Sequence, residues 1–274
     1  MQNKTVFITG ASSGIGKATA LFFLEQNWNV IASMRNPDNC AEFAAFPNIF
    51  LVQLDVTKPE TITKALDKAI ARFGTIDCLV NNAGYGTLGS FESASEDQIK
   101  RQFETNVFGL MSVAREFIPH FRKNRSGVII NIASIAGQIG FPMFSIYNSS
   151  KFAVEGFSQA LRYELIGFGI KVRLIEPGPI KTDFYSRSMD VFDAERMPEY
   201  KTLVQTVNAR IIGMGSNAKG PEVVAKKIFK AATDKGNRLF YPVGGGAPAM
   251  LLAKKLLPDC IFRFIIRKAL GVKV

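Results

Sequence analysis

Histidine is nearly missing from this chain: His120 is the only one among 274 residues. A Ser-His-Asp triad or a histidine-rich zinc site therefore has almost no material to be built from. Cysteine is scarce too. Cys40, Cys78 and Cys260 are odd in number and widely spaced, which suits reduced thiols in a cytosolic protein better than a disulfide framework or a metal site. No run of roughly eighteen apolar residues occurs, so no transmembrane helix is expected. The first apolar run starts within five residues of Met1, which leaves no room for a signal peptide, and the expected location is cytoplasmic. Acidic residues are outnumbered, 23 against 34 Lys and Arg, for a formal net charge of +11. The basic residues are scattered and no basic-aromatic module accompanies them, so nucleic acid is not expected as a partner.

The residues that are present alternate in pattern. With 47% hydrophobic and 21% charged residues, the composition is that of a globular α/β chain. Short apolar, β-branched runs at 5–9, 29–34, 49–54, 77–80, 127–132, 171–176 and 239–242 read as strands. Helical stretches at 17–26, 59–73, 96–117 and 147–168 separate them. Such a series predicts one Rossmann-type domain, a doubly wound parallel sheet of about seven strands with helices on both faces. Residues 1–243 form that domain in this reading, and 244–274 form a helical tail attached to it.

Two local patterns carry chemistry. Gly10-Ala-Ser-Ser-Gly14-Ile-Gly16 follows the first strand directly and opens the first helix. Glycines there allow a tight turn and close approach, and the helix N-terminus offers N–H groups to a pyrophosphate. The second pattern is Tyr147-Asn-Ser-Ser-Lys151, with Ser134 upstream. Tyr and Lys one turn apart share a helix face, and an ammonium there is expected to lower the phenol pKa towards neutrality, as a general acid/base requires.

Together with Asp55-Val56, Asn81-Asn82-Ala83-Gly84, Asn106 and Pro177-Gly178, these segments occur in one order. Over residues 3–243 the chain resembles the short-chain dehydrogenase/reductase family, and the local run from Tyr147 to Gly156 resembles the branch holding 17β-hydroxysteroid and retinol dehydrogenases. The resemblance implies an NADP(H)-dependent oxidoreductase with Asn106, Ser134, Tyr147 and Lys151 as its catalytic set. It implies cofactor contacts from Gly10, Ser12, Ser13, Gly14, Ile15 and Gly16 at the pyrophosphate. Asp55 and Val56 would face the adenine, Asn82, Ala83 and Gly84 the adenosine ribose, and Tyr147 and Lys151 the nicotinamide ribose. Pro177, Gly178, Ile180 and Thr182 would lie on the nicotinamide side. The second strand ends in Ser33-Met34-Arg35 with no acid, and resemblance to NADP-preferring members puts Arg35 on the 2′-phosphate of NADP(H), assisted by the Ser12–Ser13 turn, with Ser33 as a further candidate. Asp38 comes too late to serve the ribose.

The substrate pocket is expected from 85–88, 138–144, 184–197 and the C-terminal stretch, which hold Phe141, Pro142, Met143, Phe144, Phe184, Tyr185, Met189 and Phe192. That set suits a small lipophilic ketone, aldehyde or alcohol. A non-catalytic NADP(H)-binding regulator on the same fold is the alternative, and the complete Ser-Tyr-Lys set argues against it. The family implies a homo-oligomer, dimer or tetramer, with Phe152, Gly156, Gln159 and Ala160 as a candidate seam. In the tail, Pro258 interrupts the helical pattern, and Lys254, Lys255, Arg263, Arg267 and Lys268 interleave with bulky apolar residues. It reads as a lid over the pocket or as an interfacial element touching a membrane surface.

Overall fold

The computed structural model describes residues 3–40, 43, 45–192 and 197–272. Its frame is a seven-stranded sheet in which every neighbouring pair is parallel. The strands are β1 (Thr5–Thr9), β2 (Asn29–Met34), β3 (Ile49–Gln53), β4 (Cys78–Asn81), β6 (Gly127–Ile132), β7 (Ile170–Pro177) and β9 (Phe240–Val243), ordered β3-β2-β1-β4-β6-β7-β9. The chain runs outward from β1 to β3, then crosses back to β4 on the other side of β1. That reversal opens a crevice at the carboxyl ends of β1 and β4, where open α/β sheets take ligands.

Side chains alternate along each strand, and this sorts the core into two layers. From β1, Val6 and Ile8 point to one face and Phe7 to the other, all fully buried. The first face is covered by α1 (Gly14–Glu25) through Ala20, Phe23 and Leu24, and by α8 (Glu222–Thr233) through Val224, Ile228 and Ala231. The second is covered by α2 (Pro59–Phe73), α4 (Leu110–Asn124) and α5 (Ser145–Leu165). Phe7 meets Phe117 of α4 edge to face at 4.8 Å between ring centres, a geometry that adds about 0.5–1.5 kcal/mol to the area it buries.

The segment expected as one helix over 96–117 is divided. It starts at α3 (Glu96–Phe103), where Ser95 and Gln98 form a reciprocal capping box. It then widens into a π-helical turn, Glu104–Gly109, before α4 begins. An inserted π turn re-aims the side chains it carries and recurs at functional sites; here it carries Asn106. Other boundaries differ by one to a few residues at frayed ends. The stretch after β7 holds α6 (Phe184–Arg187), β8 (Met189–Val191) and α7 (Pro198–Ser216). β8 pairs in parallel with β5 (Gly86–Leu88) in a small second sheet that the residue pattern did not announce. The tail folds as α9 (Ala247–Leu256) and α10 (Asp259–Leu270), with Pro258 at the break. Residues 193–196 of the expected pocket segment lie outside the described residues.

One buried polar relay ties the sheet to α5. Asn81 Nδ2 donates to Asn131 Oδ1 at 2.9 Å, and Asn131 Nδ2 donates to Ser158 Oγ at 2.8 Å. Asn81 is thereby a strand-to-strand link, distinct from its neighbour Asn82. Asn131→Ala leaves the buried Asn81 Nδ2 without its acceptor and Ser158 Oγ with only its bond to Val154 O, and is expected to destabilise the fold by about 1–3 kcal/mol. Urea titration reads the effect; an unchanged midpoint would show that the relay contributes nothing.

Candidate active site

The crevice is a cleft of about 1060 Å³. Its floor is the turn after β1. Gly10 has φ +66° and Gly14 φ +54°, a region L side chains rarely adopt. A Cβ on Gly10 would lie 2.9 Å from the Ala83 Cα, and one on Gly16 would run into the Gly10 carbonyl and the Asn82 amide. The turn is closed from behind by Asn82 Nδ2, which donates to the carbonyls of Thr9 and Gly10 at 2.9 and 3.0 Å. The Thr9 hydroxyl in turn accepts from the backbone N–H groups of Asn82 and Ala83. The loops after β1 and β4 are therefore one unit, with a concave, glycine-lined surface at the start of α1. A dinucleotide pyrophosphate fits that surface, because Gly10 and Gly14 leave its backbone bare.

Of the expected catalytic and cofactor residues, all but Gly16, Ser33 and Asn106 line this cleft. Gly16 stands behind it as a packing glycine. Asn106 is buried, its Oδ1 accepting from Tyr85 N at 3.1 Å and its Nδ2 donating to Tyr85 O and Ser150 Oγ at 2.9 and 3.2 Å. Arg35 is exposed at the cleft rim. Ser33 is not beside it: its hydroxyl donates to Ile8 O at 3.0 Å within the sheet, so it is turned away from any phosphate. Asp55 is held by Thr57, whose N–H and hydroxyl both donate to its Oδ1.

Ser134 sits just past β6, its Oγ accepting from Ala136 N. Tyr147 lies in the first turn of α5, flanked by the Phe144 and Phe184 rings at 6.0 Å. Lys151, one turn on, is 8% exposed and donates to Ile132 O at 2.9 Å. Burial pushes the Lys151 ammonium down to about 8, while nearby Glu155 acts to raise it. The Tyr147 phenol differs from the sequence expectation. Burial pushes it above its ordinary range, and a hydrogen bond with Ser134 pulls only partly the other way. The Lys151 ammonium is engaged with the strand carbonyl and lies 5.9 Å from the Tyr147 ring centre. Desolvation outweighs the Ser134 hydrogen bond, so the phenol keeps its proton. His120 is far from this chemistry: it accepts from Ile76 N at 3.1 Å and supports the approach to β4.

A family model for short chain dehydrogenase matches residues 4–190. The chain belongs to that family. It is an oxidoreductase that works between alcohol and carbonyl groups with a nicotinamide dinucleotide. The dehydrogenase is 41% identical over 184 residues to 3-ketodihydrosphingosine reductase of Bacteroides thetaiotaomicron, across 67% of this chain and 66% of that protein. Its fold is similar to ElxO with NADP bound, at TM-score 0.73 and 29% identity over 90% of this chain and 100% of that one. It is also similar to a short chain dehydrogenase/reductase from Burkholderia phymatum in complex with NAD, at TM-score 0.80 and 26% identity over 93% and 92%. Solved relatives of the dehydrogenase thus hold either dinucleotide.

Beyond Tyr147 the cleft of the dehydrogenase becomes apolar. Phe141, Phe144, Phe184, Tyr185 and Met189 line it as expected, while Pro142, Met143 and Phe192 do not. Phe192 is instead buried, packed where Gly89 has no side chain. The tail supplies Met250, Ile266, Ala269 and Leu270 to the same wall, and α7 supplies Ile211 and Met214. Its helices therefore cover the apolar end of the cleft. Sequence reasoning missed Arg187, whose guanidinium reaches across the cleft to donate to Ser13 Oγ at 2.8 Å. Nothing short of the fold could have paired residues so far apart in the chain. It also missed Glu155, although its helical spacing from Tyr147 and Lys151 was legible.

Proposed function

We propose that this dehydrogenase reduces a lipophilic ketone or aldehyde with NADPH, and oxidises the alcohol in the reverse direction. The observation that carries the reading is the convergence of Ser134, Tyr147 and Lys151 on the cleft between a glycine cradle and an apolar wall. A bound NADPH supplies a hydride to the carbonyl carbon. Ser134 holds the carbonyl oxygen, and Tyr147 gives that oxygen its proton. A phenol kept protonated by burial suits this step. Lys151 holds the nicotinamide ribose hydroxyls and its charge favours the tyrosinate left behind. Asn106 anchors the Tyr85 loop against Ser150, next door to Lys151, and is the site for a water linking the ammonium to solvent. A relative named as a ketone reductase supports the carbonyl assignment.

NADP(H) is preferred in this reading because the cleft rim after β2 carries Arg35 and no acid. An arginine there pairs with a 2′-phosphate, whereas a carboxylate would repel it. The dehydrogenase works as a homo-oligomer through the outer face of α5, where Phe152, Gly156, Gln159, Ala160 and Tyr163 are exposed in one stripe.

The tail has a second role in the same reading. The inner sides of α9 and α10 bury Ala247, Phe262, Ile266 and Leu270, closing the substrate end. Their outer sides expose Leu252, Leu256, Ile261, Phe264 and Ile265, with Leu256 at 69% and Phe264 at 60%. Lys254, Lys255, Arg263 and Lys268 are exposed among them. Bulky apolar groups ringed by cations match an anionic lipid surface. Among the described residues no helix is long and apolar enough to cross a membrane, so the contact is peripheral. A lipophilic substrate then reaches the pocket from that surface.

Tyr147→Phe is expected to retain NADPH binding and to lose more than nine-tenths of kcat, at least about 1.4 kcal/mol of barrier. A variant that keeps its turnover with a panel of carbonyl compounds would remove Tyr147 from the chemistry. Arg35→Asp should weaken NADPH roughly ten- to a hundredfold, since hydrogen bonds to charged groups contribute about 1.5–3 kcal/mol, and should improve NADH use. Unaltered NADPH affinity by titration means that the preference is set elsewhere. Full-length protein is expected to sediment with anionic vesicles at low salt, and Leu256→Glu with Phe264→Glu to abolish this. No sedimentation, with light scattering showing that the double variant loses a dimer, would assign the tail face to a second copy of the chain instead.

A further inference from the structure

Behind Lys151, away from the cleft, the structure holds two acids that the reaction steps above do not use. Glu155 follows Lys151 by one helical turn on the same inward face of α5, and Glu176 reaches the same place from β7. Glu155 is 3% exposed and Glu176 is fully buried. Gln138 Nε2 donates to Glu176 Oε1. The other three carboxyl oxygens, both of Glu155 and Oε2 of Glu176, meet no N–H or hydroxyl donor among the described residues. The site is built tightly: a Cβ on Gly137 would lie 2.7 Å from Glu155 Cγ and 2.9 Å from Lys151 O.

Acceptor oxygens buried without donors are costly, and two buried carboxylates side by side are costlier. A proton placed between them pairs one Glu155 oxygen with Glu176 Oε2 and removes the repulsion of two adjacent carboxylates. The pair then carries a single negative charge, and with the Lys151 ammonium the buried cluster is neutral overall. Neutrality is what a desolvated ionic cluster requires.

We propose that Glu155 and Glu176 share one proton and act together as the counter-charge that keeps Lys151 an ammonium at working pH. They are positioning residues: they touch neither substrate nor cofactor, and act through Lys151. Glu155 is the donor of the pair, giving its proton to Glu176. Burial raises both carboxyls, Glu155 further, and each feels the other. The charged groups facing the pair are Lys151 from α5 and Arg238 from the approach to β9, the latter favouring charge on Glu176. Lys151 is itself lowered by burial and held up by Glu155. The sign for activity follows. Carbonyl reduction needs the ammonium, so it is retained below the Lys151 pKa and lost as pH rises through it. Removing the counter-charge lowers that pKa and moves the alkaline limb to lower pH.

The inference rests on Lys151 being the active-site ammonium, and the test separates the two. With one shared proton, Glu155→Gln and Glu176→Gln each leave one negative charge, so each single variant should keep the alkaline limb of kcat near its wild-type position. The double variant removes the charge and should move the limb to lower pH by ~1 unit or more, the size expected for an opposite charge at this range. Equal shifts in both single variants would overturn the shared proton. An unmoved limb in the double variant would overturn the counter-charge role, whatever its melting temperature. Infrared spectra of the wild-type protein provide a readout without turnover or mutation. A buried protonated-carboxyl band should persist at neutral pH, and its absence would sink the pair even if the oxidoreductase reading stands.

Discussion

A lysine ammonium buried at the edge of a parallel sheet is the constraint around which this molecule is arranged. Lys151 has left water almost completely, so its charge has to be met by protein groups or be lost. The Ile132 carbonyl meets it directly at 2.9 Å. That carbonyl is available because β6 ends there and the chain leaves the sheet toward Ser134. The position of the ammonium, the end of the strand and the start of the catalytic turn are one event seen from three sides.

The same economy explains the cradle. The turn after β1 is not held by its own residues but by the loop after β4, through the Thr9 hydroxyl and the Asn82 amide. Parallel neighbours put both loops at the same edge, so side chains that satisfy one backbone shape the other. The π turn at Glu104–Gly109 extends this logic. It brings the Asn106 amide onto both backbone groups of Tyr85 while leaving Nδ2 within reach of Ser150. The Tyr85 loop and α5 are thereby tied by one side chain.

Burial has a price at Tyr147. Tyr147 is half-buried between Phe144 and Phe184, and that desolvation raises the phenol instead of acidifying it. Two effects compete there, desolvation and the hydrogen bond with Ser134, and desolvation is the larger. The tail acts in the same direction at the far end, burying Phe262, Ile266 and Leu270 against the pocket wall.

Much of this was legible in the residues. Strand runs and glycine spacing are local properties, since side-chain alternation and positive-φ turns depend only on near neighbours. They located the sheet, the cradle glycines, the Tyr147–Lys151 face and the break at Pro258. What depends on residues far apart in the chain was not legible. Arg187 reaches Ser13 only after the sheet is assembled, and Ser33 was misjudged because its hydroxyl bonds across strands to Ile8 O. The π turn is invisible to a helical pattern, because it changes the period by a single inserted residue. Which side the phenol pKa falls on was also decided by tertiary structure alone. Sequence order put a lysine one turn from a tyrosine; only packing set how much water was left between them.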